Sequence, residues 1–102
     1  MSVAVAEVFG TVTPSSGTAS VNIANCFGII NQVIVTPTTA TTTFDVAITN
    51  QKSRDIYDMD DSTGFLVDKI DVALRNDATL TITNASVDES FEYYVSIVER
   101  YA

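Results

Sequence analysis

The sequence predicts an all-β fold: one antiparallel β-sandwich of about eight short strands, jelly-roll-like, with an immunoglobulin-like sandwich as the rival arrangement. Three observations predict it. Apolar residues alternate with a period of two almost everywhere, and no stretch shows convincing helical spacing. Turn-forming clusters interrupt the alternation at roughly 10–12-residue intervals. Thr and Val are abundant, Phe and Tyr are present and Trp is absent, a bias that suits a pleated, half-buried surface. The 102 residues make a single domain, 1–102, since one core per ~150 residues is the working prior.

The elements follow in order. "VAVAEVFGTV" (Val3 to Val12) reads as a first strand, with Gly10 marking a bulge or a close backbone approach. "TPSSG" is a turn by composition. "TASVNIAN" then sets Ala19, Val21 and Ile23 against Ser20, Asn22 and Ala24. "GIINQVIVT" is apolar on both faces, Ile30 and Ile34 opposing Ile29, Val33 and Val35, so it is expected to be covered on both sides. After "PTTATTT", "TFDVAIT" alternates with Phe44, Val46 and Ile48 inward. "SRDIYD" is a short edge-like strand that leads into an acidic turn. "GFLVDKIDVALRN" places Ile70, Val72 and Leu74 inside, and "ATLTIT" adds Leu80 and Ile82. "FEYYVSIVERY" supplies Phe91, Tyr93, Val95 and Ile97, which leaves Tyr94 for the surface or an interface. "ITN" closes two strands, at Ile48 to Asn50 and Ile82 to Asn84, which is ordinary turn chemistry and not a repeat.

Composition excludes several classes of function. Cys26 is the only cysteine and histidine is absent, so there is no internal disulfide, no thiol pair for zinc and no imidazole base. Cys26 is expected to be a buried filler. Without histidine, an activated thiol or a serine elbow, no enzymatic activity and no cofactor are expected. The net charge of −8 argues against nucleic acid and anionic membrane surfaces as partners. The opening "MSVAVAEVFG" lacks a basic residue and is interrupted by Glu7, unlike a secretory signal, which points to synthesis in a cytoplasm. Asn84-Ala85-Ser86 is a formal glycosylation sequon, expected to be silent there.

"YDMDDSTG" (Tyr57 to Gly64) is the stretch richest in ligand atoms. Counted from Asp58, residues Asp60 and Ser62 fall on EF-hand ligand positions. Thr63 then stands where the glycine belongs, and Lys69 where the closing carboxylate belongs. A looser Ca²⁺ or Mg²⁺ site on Asp58, Asp60 and Asp61 stays open, because a cation relieves bunched carboxylates. The preferred reading is an acidic turn, with Gly64 supplying a positive φ. The five hydroxyls of "PTTATTT" are read as a solvated loop, since a sugar- or ice-matching surface needs several such ranks.

Charge is distributed unevenly. Residues 1–44 hold one charged side chain, Glu7, while the other twelve acids and all five bases lie beyond. Exposed strands normally carry charge, especially lysine, to discourage pairing with other chains. The bare amino-terminal half therefore predicts a surface covered by protein, and a homo-oligomer, with Val33, Ile34 and Val35 near the contact.

"TFDVAITN", "GFLVDKIDVALRN" and "ATLTITNASVDESFEYYVSIVE" resemble the short Thr-rich strands of small tailed-phage virion proteins, notably capsid decoration (cement) proteins. The resemblance covers most of the chain and carries over no individual functional residue. It implies a virion structural protein on the capsid surface, bound to the major capsid protein, to sister subunits or to both. Two other readings stand beside it. One is a carbohydrate- or calcium-binding module using residues 58–61 with Tyr57 or Tyr94 stacked on sugar. The other is a tail or neck component of a virion.

Overall fold

A computed structural model describes residues 2–50, 52 and 54–101, with side chains throughout except those of 2–6, 24–27, 74–77 and 99–101. Six strands run in the order β1 (Ser2–Val12), β2 (Ala19–Pro37), β3 (Thr43–Asn50), β4 (Asp55–Thr63), β5 (Leu66–Thr83) and β6 (Phe91–Tyr101). They pair without exception antiparallel, as β1-β6-β2-β5-β3-β4.

The two longest strands, β2 with 19 residues and β5 with 18, turn this ladder into a sandwich. They stay paired from Ala19↔Ile82 to Val35↔Leu66 while their outer neighbours change. From Gly28 onward β2 is flanked by β6, and from Ala78 onward β5 is flanked by β3. Each long strand therefore serves both layers. The first sheet is β1, β6, the second half of β2 and the first half of β5. The second sheet is the first half of β2, the second half of β5, β3 and β4. Counted this way there are eight strand segments, four in each sheet, and their order is that of a jelly roll.

Alternation alone divides each long strand in two, around residues 25–28 and 75–77. Those residues favour turns, yet Asn25↔Asp77, Cys26↔Asn76 and Phe27↔Arg75 remain in register. The two chains pass from one layer to the other as a pair. Each supplies the other's hydrogen bonds, so neither needs to break. The side chains of Cys26 and Leu74, on which two expectations rested, lie outside the described residues.

Alternation puts Phe44, Val46 and Ile48 from β3, Leu80 and Ile82 from β5, Val33 and Val35 from β2, and Phe91, Val95 and Ile97 from β6 into one core. Phe44 and Phe91 meet edge to face across the two layers, with ring centroids 5.2 Å apart and planes at 81°. Among the described residues no buried side-chain nitrogen or oxygen lacks a partner. Gly10 is a close approach, since a Cβ there would stand 2.8 Å from the Tyr93 hydroxyl. The "PSSG" turn closes through paired bonds between Ser15 and Thr18. Ser16 and Gly17 at its centre both have positive φ, the geometry that matches strand twist in tight hairpins.

Candidate functional site

The acidic stretch is not a turn. Residues 58–63 belong to the edge strand β4, and the ladder to β3 slips between Phe44↔Ser62 and Val46↔Met59. Asp60 and Asp61 thus oppose the single residue Asp45, which is a β-bulge. Asp61 takes a left-handed φ of 58° there. The Asp45 carboxylate holds the bulge: the Asp61 N–H donates to Oδ1 at 2.8 Å and the Asn84 amide donates to Oδ2 at 2.7 Å. Those bonds, the backbone one first, hold the Asp45 carboxyl below its usual range. The neighbouring Asp58 charge pushes Asp60 the other way, and the hydrogen bond that the protonated Asp60 carboxyl donates to Asp58, burial and the Asp45 charge add to it.

Among the described residues no three acid or thiol side chains converge as a metal-binding group. Tyr57 is buried, and its hydroxyl donates to Asp68 Oδ2 at 2.9 Å. Burial, and then that bond, drives its ionisation far above the ordinary tyrosine range. A ring facing the core cannot stack on sugar, so the expectation for Tyr57 is corrected. The sequon is occupied by local bonding: Asn84 holds Asp45, and Ser86 Oγ accepts the Thr43 N–H at 3.0 Å.

The interface expectation is corrected at two of its three residues. Val33 and Val35 are fully buried in the protein's own core, so they offer no surface to a partner. Ile34, between them, points outward. On the outer face of the first sheet it lies in a registered row that crosses all four strands: Phe9↔Tyr94, Tyr94↔Ile34 and Ile34↔Val67. Phe9 is 70% exposed and Val67 44%. A groove of about 390 Å³ lies over the β1, β6 and β2 part of this row, bounded by Phe9, Thr11, Ile34, Thr36, Glu92 and Tyr94. The Tyr94 hydroxyl donates to Glu7 Oε2 at 2.9 Å, and that bond raises its ionisation above the usual range.

The outer face of the second sheet has the opposite character. Its corresponding row is Ser20↔Thr81, Thr81↔Ala47 and Ala47↔Asp58, with Ser20 Oγ and Thr81 Oγ1 hydrogen-bonded at 3.1 Å. Asp45 and Asp60 flank it. One face is aromatic and aliphatic, the other small, hydroxylic and acidic. The sequence located the uncharged surface in the first half of the chain. The fold instead separates it by sheet, because β2 contributes to both layers.

The residues that organise one end of the sandwich were not visible in the sequence. The segment between β5 and β6 carries Asp88 and Glu89, whose carboxylates hold two other loops. Asp88 accepts the Ser16 and Gly17 N–H groups at 3.0 and 2.9 Å. Glu89 accepts the Thr39 N–H at 2.7 Å, the Thr39 hydroxyl at 2.9 Å and the Thr42 hydroxyl at 3.1 Å. Thr42 is buried and Thr38 bonds the Ser90 carbonyl, while Thr38, Thr39, Thr41 and Thr43 are exposed, so the threonine run is a solvated loop that is also clamped.

The Thr39 N–H, followed by the two hydroxyls, lowers the Glu89 pKa below its ordinary 4.5. A depressed carboxyl stabilises the fold above its unfolded value, and that contribution is lost as pH falls through the folded value. Glu89→Gln is therefore expected to lower the melting temperature at pH 7 and to have little effect near about pH 3. Calorimetry at both pH values checks this, and an equal loss at both would contradict it.

No family model and no curated protein matches this sequence. Among solved structures, a chain of "Cyanophage Pam1 capsid asymmetric unit" aligns at TM-score 0.49 and 16% identity, over 96% of this chain and 85% of that one. "Carbohydrate-Binding Module CBM36 in complex with calcium and xylotriose" aligns at TM-score 0.39 and 15% identity, over 87% and 76%. "Structure of infectious bursal disease virus Gt strain" aligns at TM-score 0.40 and 8% identity, over 95% of this chain and 32% of that one. These three likenesses are of fold alone, one of them to a cyanophage capsid unit and one to a virus structure.

Proposed function

We propose that this chain is a non-enzymatic structural protein of a virion, a phage capsid decoration (cement) protein that acts by binding. The observation that carries the reading is the apolar row Phe9–Tyr94–Ile34–Val67 on the outer face of the first sheet. Four large apolar side chains in register on a four-stranded face form a surface that water disfavours and protein covers. The opposite face, with its hydroxyls and the carboxylates of Asp45, Asp58 and Asp60, suits contact with solvent.

Packing and association would take the place of disulfides in a particle assembled in a reducing cytosol. Many weak sites on one shell add up to substantial stabilisation without chemistry at any of them.

Quantitative mass spectrometry of purified particles from a lysate of the host that carries this gene tests the reading. The expected result is a copy number comparable to that of the major capsid protein, together with a higher melting temperature when the chain is added back to particles lacking it. A handful of copies per particle would place it in a tail or neck and overturn the decoration role. Absence from particles would overturn the virion role altogether.

A further inference from the structure

We infer that the outer face of the first sheet is covered by the same face of a second copy of this chain, the two related by a two-fold axis parallel to the strands. The inference rests on the reading of that face as covered by protein, and it names the occupant.

The argument comes from two neighbouring rows. Next to Phe9–Tyr94–Ile34–Val67 runs a polar row with the same strand order: Glu7↔Ser96, Ser96↔Gln32 and Gln32↔Lys69. An exposed acid stands at the β1 end and an exposed base at the β5 end. A two-fold axis along the strands exchanges the ends of every row and keeps each row opposite itself. Glu7 then faces Lys69 of the second copy, and Lys69 faces its Glu7. Phe9 meets Val67, and Tyr94 meets Ile34, so each aromatic side chain lies against an aliphatic one.

Other details of the face agree. The groove over β6 receives Ile34 of the second copy, and Glu92 lies opposite Thr36 instead of another acid. Asp71, two residues beyond Lys69, is out of register with Glu7. Sheets packed in this way keep their strands within about 30° of each other.

The alternatives are worse. A two-fold axis across the strands, along the apolar row, would set each strand against itself, so that Glu7 meets Thr11 and Lys69 meets Phe65 and neither charge gains an opposite partner. Pairing through the β1 edge would leave the apolar row in water.

The expected strength follows from the size of the face. Four strands at roughly 4.8 Å and about eight residues at roughly 3.3 Å cover about 500 Å² per copy, or about 1,000 Å² in total. That is near the lower bound for a specific interface, so the dimer is expected to dissociate in the micromolar range.

Sedimentation velocity from about 1 to about 300 µM tests it. The wild-type chain should pass from monomer to dimer across this range, and Ile34→Asp should stay monomeric. Lys69→Glu and Glu7→Lys should each weaken the dimer about tenfold, and the double variant should recover most of that loss. Circular dichroism checks that each variant is folded, which the exposure of these positions favours. A wild-type chain that is monomeric throughout, a dimer insensitive to either single reversal, or a double variant without recovery would each overturn the inference.

Particle composition separates this failure from that of the proposed function. A lone monomer found at high copy number in particles refutes only the dimer. A dimer absent from particles refutes only the virion role.

Discussion

Phe44→Ala is expected to lower the melting temperature by about 20 °C. Phe44 is 1% exposed and touches Phe91 across the sandwich. Removing a buried phenylalanine costs about 3–5 kcal/mol, through lost transfer energy and the cavity left behind. In a domain of this length each kcal/mol shifts the midpoint by about 4–8 °C. The whole stability of such a domain is about 5–15 kcal/mol, so much of it rests on this contact. The lost ring is also the edge-to-face partner that ties β3 in one layer to β6 in the other. Phe9→Ala is the control, since a side chain 70% exposed contributes little to the isolated fold. Thermal melts followed by far-ultraviolet circular dichroism compare the two. A shift below about 5 °C for Phe44→Ala would mean that the layers are not held together there.

Gly64→Ala is the second large effect. Gly64 has a φ of 67° and a Cβ built on it would stand 2.5 Å from the Ala40 carbonyl oxygen. That oxygen is backbone and cannot rotate away. The strand connection is held in place on the same side, because the Gly64 N–H donates to the Thr42 carbonyl at 2.8 Å. A left-handed conformation costs a residue with a side chain roughly 1–2 kcal/mol, and forced overpacking adds about 1–3 kcal/mol. A total loss of about 2–5 kcal/mol follows from these. Gly17→Ala separates the two contributions. Its φ is 79°, but its nearest neighbour to an added Cβ lies at 3.4 Å, so only the conformational cost of about 1–2 kcal/mol applies. Urea unfolding of both variants measures the difference. Equal losses would show that the approach to Ala40 is not tight.

Much of the fold was legible in the sequence because period-two alternation is a local property. Phe44, Val46 and Ile48 could be assigned inward from eight residues alone, and so could Phe91, Val95 and Ile97. The count of eight segments was readable for the same reason. What hid the two long strands was pairing. Asn25, Asn76 and Asp77 favour turns individually, and only the partner strand keeps them extended. The bulge opposite Asp45 was hidden likewise, since it is a property of two strands and neither sequence shows it.

The candidate face was the least legible part. Positions 9, 34, 67 and 94 lie in four different strands, and each alone is an ordinary strand residue. Ile34 was singled out with Val33 and Val35 because a strand apolar on both sides needs two covers. The fold gives one cover to Val33 and Val35 and leaves the other face to Ile34. Asp45, Asp88 and Glu89 went unnoticed for a related reason. Their partners are distant in sequence, from Asp61 through Thr39 to Ser16, and an acid that clamps a loop is indistinguishable in sequence from one that meets water.

Hydroxyl-radical footprinting of the chain in purified particles, set against the isolated chain at high dilution, tests the coverage of the first sheet most directly. Phe9, Ile34 and Tyr94 should be labelled readily in the dilute protein and protected in the particle. Val87, 47% exposed on the loop between β5 and β6, should be labelled alike in both. Equal labelling of Phe9, Ile34 and Tyr94 in the two states would contradict the account, because it would leave the apolar row in water where the protein works.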